Sequence, residues 1–246
     1  MYKSLLQNKK AVIFDLDGTI TDTEYFWAKA IVNIADENYG FVEYNIAETA
    51  GLELTDRWEH ILLKRQIEPK IPYSDLVKMT ITRFVQYITE AETIKTLPGF
   101  WSLATELKLE KNIKIGLTTN TRKELVNTIL DKIGLSEFFD AVVTLDDAKK
   151  PKPDPEMYHI CLKELGISSK ECLVFEDSYF GAQASAKANI QTVVIWDALI
   201  DKKSYPEEVI GFIPDFEGLA GNLDKNLEEV LLDQVKEVLD QPAQEE

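Results

Sequence analysis

The stretch AVIFDLD places Asp15 directly after four apolar residues and Asp17 two positions further on. A strand buried on both faces tolerates no unpaired carboxylate in its interior, so acids at this spacing belong at the strand's end. Two neighbouring carboxylates repel each other and call for a cation between them or a shared proton. A hard divalent ion such as Mg²⁺, bound through oxygen, meets that demand. Gly18 lets the chain turn away sharply after them. Taken alone, the two acids would serve equally well as caps of a turn or a helix.

Other apolar runs end in the same way. CLVF (172–175) is followed by Glu176-Asp177-Ser178, and IKIGLT (113–118) by Thr119-Asn120-Thr121. AVVTL (141–145) is followed by Asp146-Asp147-Ala148-Lys149-Lys150-Pro151. Each tip has an ordinary reading as a polar loop, a capping hydroxyl or a solvated lysine. Together they gather carboxylates, hydroxyls and a cation on one edge of one sheet. In an open parallel sheet, ligands bind beyond the carboxyl ends of the strands.

The elements that must carry these tips alternate. Five short apolar runs, including TVVIW (192–196), read as buried strands, with helical stretches at Lys123–Ile133 and Asp154–Leu165 between them. Gly134 and Gly166 follow those helices, and Asp154-Pro155 suits an N-cap followed by Pro at the first helical position. The pattern predicts an α/β fold, a parallel sheet with helices on both faces. It breaks between residues 22 and 95, where helical periodicity runs without a convincing strand. Tyr25, Ile31, Ile34 and Ala35 form one apolar face; Trp58, Ile61 and Leu62 form another; Leu76, Met79, Phe84, Val85 and Ile88 form a third. This predicts an inserted helical domain over 22–95 and a discontinuous core over 1–21 and 96–246. Thr96-Leu97-Pro98-Gly99 marks the return, ahead of a helix over Phe100–Leu109. Residues 222–246 are expected to form an acidic terminal helix and tail.

The net charge of −16 over 246 residues argues against nucleic acid and anionic membranes as partners. A small phosphorylated ligand remains compatible, since it needs only a local cluster of cations and N–H groups. No window approaches the roughly 18 apolar residues of a membrane span, and MYKSLLQNKK lacks a secretory h-region. Cys161 and Cys172 sit in apolar patterns without metal-ligand spacing. These features predict a cytoplasmic monomer. His60 and His159 read as partly buried helical residues.

With the motifs in view, the chain resembles the haloacid dehalogenase (HAD) superfamily. DLDGTITDTE (15–24) is similar to that family's DxDGT motif, Thr119 to its second motif, KPKPD (150–154) to its third and FEDS (175–178) with Gly181 to its fourth. The resemblance spans roughly residues 9–200. The helical insert and the Pro98-Gly99 return resemble the branch of β-phosphoglucomutase and the sugar phosphatases. It implies a Rossmann-like core with a helical cap and a Mg²⁺-dependent phosphatase acting on a small phosphorylated metabolite. Asp15 would be the nucleophile, forming an aspartyl-phosphate, and Asp17 the general acid/base. Mg²⁺ would be held by Asp15, the backbone carbonyl of Asp17, and Asp177, with Glu176 as a ligand or its supporting neighbour. Thr119, the backbone N–H of Asn120, and Lys150 would contact the phosphoryl oxygens; Lys149 and Lys152 are weaker candidates for the lysine.

An acid at position 17 favours phosphoryl chemistry over dehalogenation, which needs no proton for a leaving alcohol. A phosphohexomutase is the alternative activity. It is weakened by Trp27, where the family's mutases carry a His, and by the absence of a basic residue in Gly51-Leu52-Glu53-Leu54. A non-catalytic binding protein of the same fold is a further alternative, disfavoured by the intact set of acids. Arg57, Trp27 and Lys78 could face the cleft from the insert, although cap packing and surface charge are the stronger reading for each.

Overall fold

The computed structural model describes residues 5–44, 49, 54–198 and 200–222. Six parallel strands form one sheet: β1 (Ala11–Phe14), β2 (Lys114–Thr118), β3 (Ala141–Val143), β4 (Cys172–Glu176), β5 (Gln191–Ile195) and β6 (Val209–Ile213), in the order β3-β2-β1-β4-β5-β6. Strand β1 is central, with Phe14 opposite Leu117 of β2 on one side and Phe175 of β4 on the other. The strand order reverses at β1, and a doubly wound sheet opens a crevice at such a point.

The pleat decides where each β1 side chain goes. Val12 and Phe14 pack with α4 (Phe100–Thr105) and α5 (Lys123–Lys132). Ala11 and Ile13 pack with α6 (Glu156–Leu165) and α7 (Tyr179–Lys187). All four residues are fully buried, which is why the run is apolar throughout rather than alternating. Phe14 stacks on Phe175 at 5.2 Å and meets Phe100 edge-on at 5.5 Å. The position of Asp15 is therefore set by a rigid aromatic floor one residue earlier.

Among the described residues, three helices occupy the segment between residues 22 and 95, after β1: α1 (Glu24–Tyr39), α2 (Leu54–Lys64) and α3 (Tyr73–Glu90). They enclose an apolar cluster of their own, built on Ile31, Ile34, Trp58, Ile61, Leu62 and Leu76. Tyr25 and Val85, expected on the apolar faces, are exposed. The outgoing and returning chains are joined where Asp22 N–H donates to the Lys95 carbonyl and Leu97 N–H to that of Ile20.

Several boundaries move. Helix α6 starts at Glu156 rather than Asp154, yet Asp154 Oδ1 still accepts the Glu156 N–H. The helix from Phe100 stays α-helical only to Thr105 and continues as a π-helical turn to Glu110. The third strand stops at Val143 and gives way to a 3₁₀ turn over Leu145–Asp147. Strand β6 was not foreseen: it is an edge strand, and of its five residues only Ile213 is buried. Both histidines are exposed rather than partly buried, and both cysteines are buried and free. Among the described residues no helix is long and apolar enough to cross a membrane. The expected terminal helix lies outside the described residues beyond Asn222.

Candidate active site

Asp15 prolongs β1, its N–H donating to the Phe175 carbonyl at 3.0 Å. Its Oδ1 accepts from Lys152 Nζ at 2.7 Å. The same ammonium donates to Glu176 Oε1 at 2.7 Å and to the Thr118 carbonyl at 2.9 Å. Lys152 thus uses all three of its donors on protein acceptors. The side chains of Lys152, Asp15 and Glu176 are only 3%, 9% and 1% exposed. Burial alone would lower the lysine's pKa, but Asp15 and Glu176 together raise it well above its ordinary value, so it stays charged. Burial pushes Asp15 up, with Glu176 and Asp17 adding repulsion and Lys152 opposing them.

The lysine expected here was Lys150, and the structure corrects that assignment. Lys150 is 71% exposed and points to Asp154, 3.6 Å away. Two overlapping Lys-Pro-x-Pro frames start at Lys150 and Lys152, and the fold selects the second. Asn120 sets the frame: its Oδ1 accepts the Lys152 N–H at 2.9 Å and its Nδ2 donates to the Lys152 carbonyl at 3.2 Å. The Asn120 side chain therefore clasps the backbone of the very residue that reaches Asp15.

Asp17 is held by three hydroxyls. Thr23 donates to Oδ1 at 2.8 Å, and Thr121 and Thr119 donate to Oδ2 at 2.6 and 3.3 Å. Thr119 is buried at the tip of β2, as expected, but its donor is committed to Asp17 rather than left open. Burial raises the Asp17 pKa, and the three hydroxyls only partly offset it. Neither Thr23 nor Thr121 was singled out for this role from the sequence.

Glu176 and Asp177 end β4 and divide the work between them. Glu176 Oε2 accepts both the N–H and the hydroxyl of Ser178 at 2.9 Å, while Oε1 is taken by Lys152. Both of its oxygens are thus engaged by protein donors. A methyl group at Gly181 would overlap its carboxylate. Asp177 accepts one long hydrogen bond, 3.4 Å from the Thr19 hydroxyl. Burial, then Glu176 and Asp15, push its pKa well up. Gly18, at φ +82°, lies so close that a Cβ there would collide with Asp177 Oδ2. Gly18→Ala is expected to cost about 1–3 kcal/mol through left-handed strain and to displace Asp177. Urea unfolding together with the Mg²⁺ concentration needed for activity reads both effects.

The donor set fits Mg²⁺. Among the described residues no three His, Cys, Asp or Glu side chains converge as a complete cage. Mg²⁺ does not require one, since it binds through one or two carboxylates and keeps several waters. Asp15 and Asp177 are two carboxylates of raised pKa lining one cavity, which Asp17 also lines. The cavity measures about 390 Å³. Glu24, Trp27, Leu54 and Arg57 wall it from the insert, and Tyr179 and Tyr205 from the core. Burial and nearby acids, Asp197 first, push Tyr205 up to about 12. Lys78 stays outside, paired with Asp75.

Residues 12–195 match the sequence profile of the haloacid dehalogenase-like hydrolases. Among curated relatives, the phosphorylated carbohydrates phosphatase of Thermotoga maritima is 30% identical over 190 residues, covering 75% of this chain and 83% of its own. The fructose-1-phosphate phosphatase YqaB of Escherichia coli is 27% identical over 190 residues, covering 74% of this chain and 94% of its own. Among solved structures, CbbY from Rhodobacter sphaeroides in complex with phosphate shares the fold at a TM-score of 0.68. It is 23% identical, over 90% of this chain and 99% of its own. The match takes in the tips of β1 and β4 with Asp15, Asp17, Glu176 and Asp177, and the chain belongs to the haloacid dehalogenase-like hydrolases.

Proposed function

We propose that this hydrolase is a Mg²⁺-dependent phosphatase of small phosphorylated metabolites, sugar phosphates foremost, working through an aspartyl-phosphate on Asp15. Its class as a phosphoric monoester hydrolase follows from the family and from relatives that are phosphatases. The observation that carries the mechanism is the buried Lys152 ammonium holding Asp15 at the β1 tip, with Asp17 fixed two residues away by three hydroxyls.

Lys152 fixes Asp15 Oδ1, so the carboxylate cannot rotate freely and its other oxygen faces the cavity as the nucleophile. The P–O bond to the leaving alcohol breaks as the Asp15 oxygen bonds to phosphorus. Asp17, whose raised pKa favours its protonated form, gives its proton to the departing oxygen. It then takes a proton from the water that cleaves the acyl phosphate. Mg²⁺, held by Asp15, Asp177 and the Asp17 carbonyl, would neutralise the repulsion between anionic nucleophile and anionic ester. Lys152 adds positive charge beside the transferring group. We read the helices between residues 22 and 95 as the cap that closes over these events.

Phosphate release from a panel of phosphorylated metabolites tests the proposal. EDTA should abolish it and added Mg²⁺ restore it; undiminished release in EDTA would overturn the metal assignment. Isomerisation of a hexose 1-phosphate with little net phosphate would favour the mutase activity instead. Asp17→Asn should lower steady-state kcat about 10²–10⁴-fold. With p-nitrophenyl phosphate, whose leaving group needs little protonation, that variant should give a burst of nitrophenol close to one per enzyme. The absence of a burst would place Asp17 outside the second step.

A further inference from the structure

We propose that the Glu24–Arg57 ion pair in the cavity makes the enzyme selective for phosphate esters whose far end carries hydroxyls and no second anion. This rests on the phosphatase reading and narrows its substrate class.

Glu24 opens α1, immediately after the chain leaves the β1 tip, and Arg57 lies on α2. Their contact is a fork on a fork, Nη1 to Oε2 and Nη2 to Oε1, both at 3.2 Å. Arg57 is 9% exposed and Glu24 39%. Both wall the cavity that contains Asp15 and Asp177. Among the described residues lining that cavity, Arg57 and Lys152 are the only cations, beside six carboxylates. Lys152 has spent its three donors beneath the reacting centre, and Arg57 is engaged by Glu24.

A second phosphate or carboxylate on the substrate would thus enter a chamber whose outer cation is already neutralised, and would face Glu24 and Asp197. Like charges brought together inside a cleft are strongly rejected. Arg57 would have to share its single charge between Glu24 and the incoming anion. Freeing Glu24 would add an uncompensated carboxylate to a cavity already lined by Asp15, Asp17, Glu176, Asp177 and Asp197. A hydroxyl group meets the opposite situation: the solvent-facing part of Glu24 accepts a hydrogen bond without giving up the bridge. Tyr179 and Tyr205, edge to face at 5.6 Å, supply an aromatic corner for the carbon skeleton of a polyol.

A matched pair of ligands tests this: fructose 1-phosphate against fructose 1,6-bisphosphate, which differ only in the second phosphate. The wild-type kcat/KM should favour the monophosphate by at least about 10-fold. Glu24→Gln, which leaves Arg57 charged and unengaged by a carboxylate, should shrink that preference about 10-fold, chiefly through a lower KM for the bisphosphate. Glu24→Asp, which keeps the charge, should retain most of it. Equal handling of the two ligands by the wild type would overturn the proposal, as would an unchanged ratio in Glu24→Gln that melts like the wild type. The wild-type ratio decides the matter even where the variant fails to fold. Should no ester release phosphate, the phosphatase reading falls. The affinities of the same two ligands, measured by calorimetry, would still judge this inference, and a bisphosphate bound as tightly as the monophosphate, or no binding of either, would end it.

Discussion

Replacing Asp15 by Asn is expected to lower kcat by at least about 10⁴-fold while leaving the unfolding midpoint at or above that of the wild type. The two results have separate causes. Asparagine keeps the shape of aspartate but has no anionic oxygen to attack phosphorus. Its neutrality is welcome in the fold, because burial and the neighbouring Glu176 and Asp17 disfavour the charged carboxylate at this position. Lys152 would not be stranded, since Glu176 and the Thr118 carbonyl remain its partners. Phosphate release and thermal unfolding on one preparation check both results. Acid-quenched wild-type enzyme should carry a phosphoryl group on the peptide containing Asp15, and the variant should not. Residual activity above about one hundredth of wild type would remove Asp15 from the nucleophile's role.

Lys152→Met should be damaging in both respects, and Lys150→Met in neither. Removing Lys152 leaves the buried Asp15 and Glu176 side chains without their shared cation, a loss of about 3–5 kcal/mol for a broken buried pair. Activity should fall with it. Adding Glu176→Gln to Lys152→Met removes one of the stranded charges and should recover part of the stability but none of the turnover. Lys150 is exposed beside Asp154, and its replacement should stay within about 0.5 kcal/mol. Urea unfolding and initial rates on the four proteins decide the issue. If Lys150→Met abolished activity while Lys152→Met spared it, the frame seen in the structure would be wrong.

The difference between these two lysines shows what the sequence made legible. Buried parallel strands need apolar side chains on both faces, so β1 to β5 stood out as runs, and the acids, hydroxyls and amide that follow them stood out as departures. Burial also explains why the nucleophile strand carries no alternation. The Lys-Pro-x-Pro segment offered two frames, and the Asp that completes the first, Asp154, favoured Lys150. The choice between them depends on the Asn120 amide, which sits on another loop and meets Lys152 only in the folded chain. Thr23 and Thr121 were ordinary loop hydroxyls until folding aimed both at Asp17. Arg57 and Glu24 were obscured by helical phase: their spacing does not say which face of α1 or α2 turns to the cleft. Strand β6, VIGFI, is apolar in four of its five residues, but Gly211 interrupts the run, and a glycine inside a strand weakens the signal.

The contacts that define the site span most of the chain. Lys152 reaches Asp15 across 137 residues, Thr121 reaches Asp17 across 104, and Thr19 reaches Asp177 across 158. Structures dominated by such distant pairings form late, after long loops have closed. A chain still emerging during synthesis carries Asp15 and Asp17 from the start, but no lysine to orient the first and no Asp177 beside them. Catalytic power therefore arrives in one step, when β4 docks against β1. Recovery of activity during refolding would report the completion of the sheet rather than the formation of its helices.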